Sequence, residues 1–219
     1  LDLRVPQVAE NLWTIALATK GQHVRMRGDI VAGVANADVS AYRTFRQQMS
    51  TFAALLNKQF NVAPPRLGSN DKRDLMRLAG LGLDVRRLGR RQMREFLRLI
   101  TMNIRDELVE RFDSPLLRGA IAVDATLGAH LGPRSPTSIL TYLHRLAGGD
   151  GEFGLPEGGM GGVADALVDV ARRAGVTLKS ATPVENVTVE NGRVVGVKTA
   201  DGQSFHSLTV VSAADPRTT

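Results

Sequence analysis

The sequence predicts an α/β protein of the α+β kind, in which a mainly helical lobe precedes a segment of helix and strands that contains a three-stranded β-meander. Three observations carry that expectation. Over much of residues 36–148 large apolar residues recur every three or four positions, the spacing of one helix face. Beyond the glycine-rich stretch Gly148-Gly149-Asp150-Gly151 the period falls to two, as in a strand with one covered face. Asn191-Gly192 then stands between two such runs, and this pair favours the tightest hairpin turn because both residues accept positive φ.

Residues 1–35 are the least patterned. Val31 and Val34 lie near candidate strands, while Gly21-Gln22-His23-Val24 and Arg27-Gly28-Asp29 have the composition of turns. Over 38–60, Tyr42, Phe45, Met49, Phe52, Leu56 and Phe60 form one stripe, with Asp38 as the capping residue. A short helix is expected from Ser69 or Asn70 to the glycines Gly80 and Gly82. A longer one follows, its stripe made by Met93, Phe96, Leu97, Ile100, Ile104 and Leu108. Ser114-Pro115 and Ser135-Pro136 each read as an N-cap followed by proline at the first helical position. The helix from Pro115 to about Leu127 is apolar all round and is expected to be buried; the next ends near Ala147.

Residues 162–174 are amphipathic, with Val163, Leu167, Val170 and Ala171 inward and Gly175 at the usual C-terminal position. Val176-Thr177-Leu178 reads as a short strand. Residues 184–189 alternate, Asn191-Gly192 turns the chain into Val194-Val195-Gly196-Val197, and Asp201-Gly202 turns it again. The apolar run 208–211 suggests a strand buried on both faces.

With 219 residues and 43% hydrophobic content, the chain is long enough for one large domain or two lobes. The absence of cysteine excludes disulfides, thiolate metal sites and redox thiols, and it fits a reducing compartment such as the cytoplasm. No apolar stretch approaches the roughly 20 residues that span a bilayer. The formal charge of +6 owes much to Arg86, Arg87, Arg90, Arg91, Arg94 and Arg98. These are read as a solvated face over buried Met93, Phe96, Leu97 and Ile100. Aromatic residues make up 5% of the chain and no base-stacking platform is interleaved with these arginines, which disfavours nucleic acid and leaves peripheral contact with an anionic membrane as a further option. His23, His130, His144 and His206 stand singly, without metal spacing. Trp13 and Tyr142 are either pocket-lining or core.

Residues 156–216 resemble the flavin-dependent phytoene desaturase branch of the amine oxidase superfamily. The resemblance rests on Pro156-Glu157-Gly158-Gly159-Met160-Gly161 with Ala164-Asp165-Ala166-Leu167, on Thr182-Pro183-Val184 and on Asn191-Gly192-Arg193-Val194-Val195-Gly196-Val197. Ala200-Asp201-Gly202 and Val210-Val211-Ser212-Ala213-Ala214-Asp215-Pro216 follow in the same order. Upstream, Phe112-Asp113-Ser114-Pro115-Leu116-Leu117 and Leu131-Gly132-Pro133-Arg134-Ser135-Pro136 are similar to the helical substrate domain of a less-studied branch.

The resemblance implies a substrate domain over 36–148, to which 1–35 add strands, and part of a Rossmann-like flavin domain over 152–219. It implies FAD as cofactor and hydride removal from a small hydrophobic or amine substrate. It assigns Val184, through its main chain, to the adenine edge of FAD, and it adds Gly158, Gly159 and Ala213 to the cofactor site. It names no catalytic residue. The family opens with a strand, a G-x-G-x-x-G turn and a helix, and no such motif is expected in these residues; Gly158-Gly159-Met160-Gly161-Gly162 lacks the spacing. The chain therefore reads as an internal piece of a longer enzyme, its glycine loop serving close backbone packing. Two other readings stay open: a basic membrane-surface or nucleic-acid binding module, and a non-catalytic interaction domain that reuses an oxidoreductase fold.

Overall fold

A computed structural model describes residues 3–60, 62–66, 68, 70–149, 154–215 and 217, with helix and sheet mixed along the chain. Ser69, Asp150, Gly151 and Pro216, which the sequence singles out, lie outside the described residues. The chain divides into two units, residues 6–159 and residues 1–5 with 160–219.

In the first unit, strands β1 (Gln7–Ala9), β2 (Thr14–Ala16), β3 (Val24–Arg27) and β4 (Ile30–Ala32) precede the helices. β2, β3 and β4 form an antiparallel sheet, and Gly28, with φ +56°, opens the two-residue turn between β3 and β4. β1 pairs instead with β5 (Leu155–Pro156).

The long apolar stripe becomes α1 (Asn36–Phe60), on which Tyr42, Phe45, Met49 and Phe52 are buried and Phe60 is exposed. The Phe45 ring meets Phe112 edge-on at 5.5 Å and the Phe52 ring meets Phe96 at 5.3 Å, geometries that aromatic pairs favour. Asp38 does not cap this helix. It lies inside the first turn, 3% exposed, and its carboxylate accepts from Asp113 N–H and Ser114 N–H, both at 2.9 Å. Those donors stand where α5 (Pro115–Thr126) begins, and the end of a helix leaves N–H groups that require partners.

α2 (Lys72–Arg87) starts on Asp71, whose carboxylate accepts from Arg73 N–H at 2.8 Å, and runs through both Gly80 and Gly82. A glycine stops a helix by turning left-handed, and these two do not. Gly89, at φ +81°, does so and separates α2 from α3 (Gly89–Leu99). The stripe from Met93 to Leu108 is likewise two helices. Asn103 accepts from Asp106 N–H at 2.9 Å and caps α4 (Ile104–Arg111), so Leu99 rather than Leu97 is buried and Leu97 is 50% exposed.

Ser114 caps α5 as its sequence predicts. That helix is buried on one side only, at Leu117, Ile121, Ala122 and Ala125, with Val123 in solvent. Ser135 accepts from Gly132 N–H within a turn, and α6 (Ser138–Ala147) begins two residues later than expected, after the left-handed Thr137.

α7 runs over Gly159–Arg173, and all of it after Gly159 belongs to the second unit. Gly175, at φ +80°, closes it: its N–H donates to Arg172 O at 2.9 Å and Val176 N–H to Ala171 O at 3.0 Å, the paired bonds of a Schellman end. Leu167, expected inward, is 52% exposed. β6 (Val184–Glu190), β7 (Arg193–Thr199) and β8 (Ser204–His206) form the meander. Residues 176–178 and 208–211 are not strands, and Leu208 and Val211 are 96% and 89% exposed. An apolar run becomes a strand only where a ladder receives its N–H and C=O groups, and no described strand pairs with either.

Candidate functional site

The β6–β7 hairpin is built by turn chemistry. Asn191 and Gly192 have φ of +49° and +75°, the two left-handed residues of a type I′ turn. A Cβ on Gly196 would stand 2.1 Å from Phe205 O, so β8 approaches β7 there only because no side chain intervenes. Thr199 is buried, and its hydroxyl bonds Asp201 and Gln203 O. The Thr199 hydroxyl holds the Asp201 carboxyl below its usual range, with help from Gln203 N–H.

Val184 opens β6 opposite Thr199, just before a bulge. Thr199 N–H donates to Gln203 O and Ala200 N–H to Pro183 O, both at 2.9 Å. Val184 and Thr199 are therefore a pair that exchanges no hydrogen bond, and the N–H and C=O of Val184 point away from β7. Since β6 is the edge of the sheet and Val184 is 57% exposed, one donor and one acceptor face outward side by side. Bulges recur beside sites that need backbone groups re-aimed.

Gly158 and Gly159 precede and open α7 with φ of +73° and +64°. A Cβ on Gly159 would meet nothing within 4 Å. Left-handed backbone, not the close packing read from the sequence, is the reason for glycine there. Ala213 is exposed and outside any strand. Gly158 and Gly159 fall in the first unit, and Val184 and Ala213 in the second. Contrary to the expectation that the motif is absent, Gly149, Gly151 and Gly154 have the bare G-x-G-x-x-G spacing. The described elements on either side are α6 before and β5 after, the reverse of the strand-then-helix order that gives the spacing meaning.

Of the other residues singled out in the sequence, His130 and His206 are exposed, and the rest make packing or hydrogen-bond contacts. His23 Nδ1 accepts from Ala18 N–H at 3.1 Å, His144 packs edge-on to Phe60, and Trp13 lies under the Arg27 guanidinium at 4.6 Å. Tyr142 is buried against Phe45, and its hydroxyl accepts from Arg46 at 3.4 Å. Arg46 and the Tyr42 hydroxyl both donate to Gly28 O, tying α1 to the β3–β4 turn. Burial pushes the Tyr42 and Tyr142 phenols up. Burial also raises the Asp124 carboxyl although Arg145 pairs with it at 3.3 Å.

Sequence reasoning missed Glu107, which is fully buried and bridges Arg98, at 2.8 Å, and Arg111. Arg98 also holds Glu95 at 2.7 Å and Glu110 at 3.5 Å, so it is not a free solvated cation. Beside this network, Thr44, Gln47, Gln48, Arg91 and Gln92 line a polar cavity of about 560 Å³. Among the described residues no cluster of side chains could hold a metal ion, and no helix is long and apolar enough to cross a membrane.

Comparison with known proteins matches residues 40–219 to the family described as flavin containing amine oxidoreductase. Pyridine nucleotide-disulfide oxidoreductase domain-containing protein 2 of Mus musculus is 33% identical over 133 residues, 58% of this chain and 23% of that protein. The protein of the same name in Rattus norvegicus is 28% identical over 193 residues, 83% of this chain and 33% of that protein. The chloroplastic prolycopene isomerase of Arabidopsis thaliana is 33% identical over 64 residues, 29% of this chain and 11% of that protein. The chain thus spans a third or less of the length of these relatives. With most of its residues matched, the chain belongs to the flavin containing amine oxidoreductase family, and the cofactor that family carries is FAD.

Proposed function

We propose that the protein is an FAD-dependent oxidoreductase, phytoene dehydrogenase-like, that removes hydride from a small hydrophobic or amine substrate. Residues 152–219 supply part of its Rossmann-like FAD domain and residues 36–148 its mainly helical substrate domain, with strands added from 1–35. A cytoplasmic location accompanies this reading. The observation that carries it is Val184, whose outward donor and acceptor suit the edge of an adenine ring. The family resemblance also assigns Gly158, Gly159 and Ala213 to cofactor binding. When bound, the flavin ring supplies the hydride acceptor, and the protein's part is to hold and orient it. Val184 contributes by main-chain bonds alone, so its side chain is incidental.

The test is a pair of substitutions in the full-length protein. Val184→Pro removes the outward N–H without touching the ladder, a position where an edge strand tolerates proline. One net hydrogen bond of about 1 kcal/mol should vanish, weakening FAD binding by roughly fivefold. Val184→Ala should bind as the parent does. Unchanged affinity in Val184→Pro would remove Val184 from the site, and a full-length protein that takes up no FAD would overturn the oxidoreductase reading. The 219 residues alone should bind FAD weakly, because two such bonds are too little to hold a dinucleotide.

A further inference from the structure

The chain's formal excess of +6 is concentrated in one place. Residues 72–98 hold nine Lys and Arg against three Asp and Glu, an excess equal to that of the whole chain. These residues are α2 and α3. No residue of α2 is buried. Leu81, Val85 and Leu88 pack against the core, while the opposite side carries Met76 and Leu83, 74% and 48% exposed, at helical spacing with Arg86 and Arg87. On α3, Phe96 and Leu99 face the core, and Arg90, Arg91, Arg94 and Leu97 are exposed. Among the described residues Arg73, Arg86, Arg90 and Arg94 make no ion pair.

We propose that the outer face of α2 and α3 docks the protein onto an anionic lipid surface. Two features select that partner. Charge complementarity calls for an anionic surface, and exposed Met and Leu among arginines match the interface between headgroups and acyl chains. Nucleic acid would satisfy the arginines, but it offers nothing to Met76 and Leu83, and the single aromatic of these helices, Phe96, is buried where no base can stack on it. The docking does not depend on the flavin reading, because it uses no residue of the cofactor site.

Sedimentation of the full-length protein with phosphatidylcholine vesicles containing about 30% phosphatidylserine tests the proposal. The protein should bind these vesicles and leave pure phosphatidylcholine vesicles free. Arg86→Ser, Arg90→Ser and Arg94→Ser together should lower vesicle affinity by at least about tenfold, while FAD content stays unchanged. These residues contain no cysteine, so with any cysteine elsewhere in the full-length protein replaced by serine, Met76→Cys can carry an environment-sensitive dye, whose emission should shift to the blue on anionic vesicles. Equal binding to both vesicle types, an unaffected triple variant, or a dye site covered in the native protein would each overturn the proposal. So would tighter binding to a DNA oligonucleotide than to the anionic vesicles.

Discussion

The two units hold their elements in place by different means. In residues 6–159 the described buried apolar side chains run from Val24 to Leu146 and interlock around α1, with Phe45, Met49 and Phe52 fully covered. In residues 160–219 no described apolar side chain is buried, and Leu167 and Val189 are 52% and 58% exposed. Helix and hairpin nevertheless form there, because Gly175 and Asn191-Gly192 supply the left-handed backbone that their turns require. Burial organises the first unit, whereas local hydrogen bonding organises the second.

Truncating the core should show the largest contrast. Phe52→Ala removes a fully covered ring that packs on Phe96, and should cost about 3–5 kcal/mol in urea denaturation. Val189→Ala, on the exposed meander, should stay within about 0.5 kcal/mol. Comparable losses at the two sites would break the comparison.

Removing the charge of Glu107 should come next. Glu107→Gln leaves Arg98 and Arg111 without their shared carboxylate. A fully buried pair would lose about 3–5 kcal/mol, but both arginines reach water, so about 2 kcal/mol is expected, read as a lower urea midpoint. Gly196→Ala should act on the other unit with about 1–3 kcal/mol, through the collision with Phe205 O. It should raise hydrogen exchange in β7 and β8 while leaving α1 protected.

The contrast also explains what could be read from the sequence. The α1 stripe, the Ser114 cap, the Gly175 stop and the Asn191-Gly192 hairpin were legible, since each depends on a period or on one turn residue. Failures fell where a distant partner decides. Asp38 has the look of a cap but serves donors 75 and 76 residues away. Gly80 and Gly82 look like stops, yet α2 continues through them. Glu107 stands three residues after Ile104 and four before Arg111, a spacing that hinted at an inward acid paired along its helix, but its bond to Arg98 of α3 had no local signature. At the candidate site, the resemblance singled out Val184, and only the pairing of Thr199 and Ala200 shows which way its backbone groups point.

The smallest effect concerns pH, and here one unit contains both signs. Glu95 titrates below its usual range, first because Arg98 hydrogen-bonds its carboxylate. Its contribution to stability is therefore present above the unfolded-state pKa and is lost as pH falls through the lower folded one. Asp124 is shifted upward, first by burial, with Arg145 opposing. Folding favours its protonated form, so it stabilises the protein at low pH and loses that contribution as pH rises through the raised value. Urea midpoints measured from about pH 6 down to about pH 3 should separate the two. Glu95→Gln should flatten the loss of stability on acidification, and Asp124→Asn should steepen it. In the other unit, the Asp201 carboxyl is lowered by the Thr199 hydroxyl. Thr199→Val should shift its titration, followed by NMR, back toward the ordinary carboxylate range while Glu95 and Asp124 titrate as before. A change in those two as well would show that the units are coupled electrostatically, and the division between packing and local bonding would then need to be redrawn.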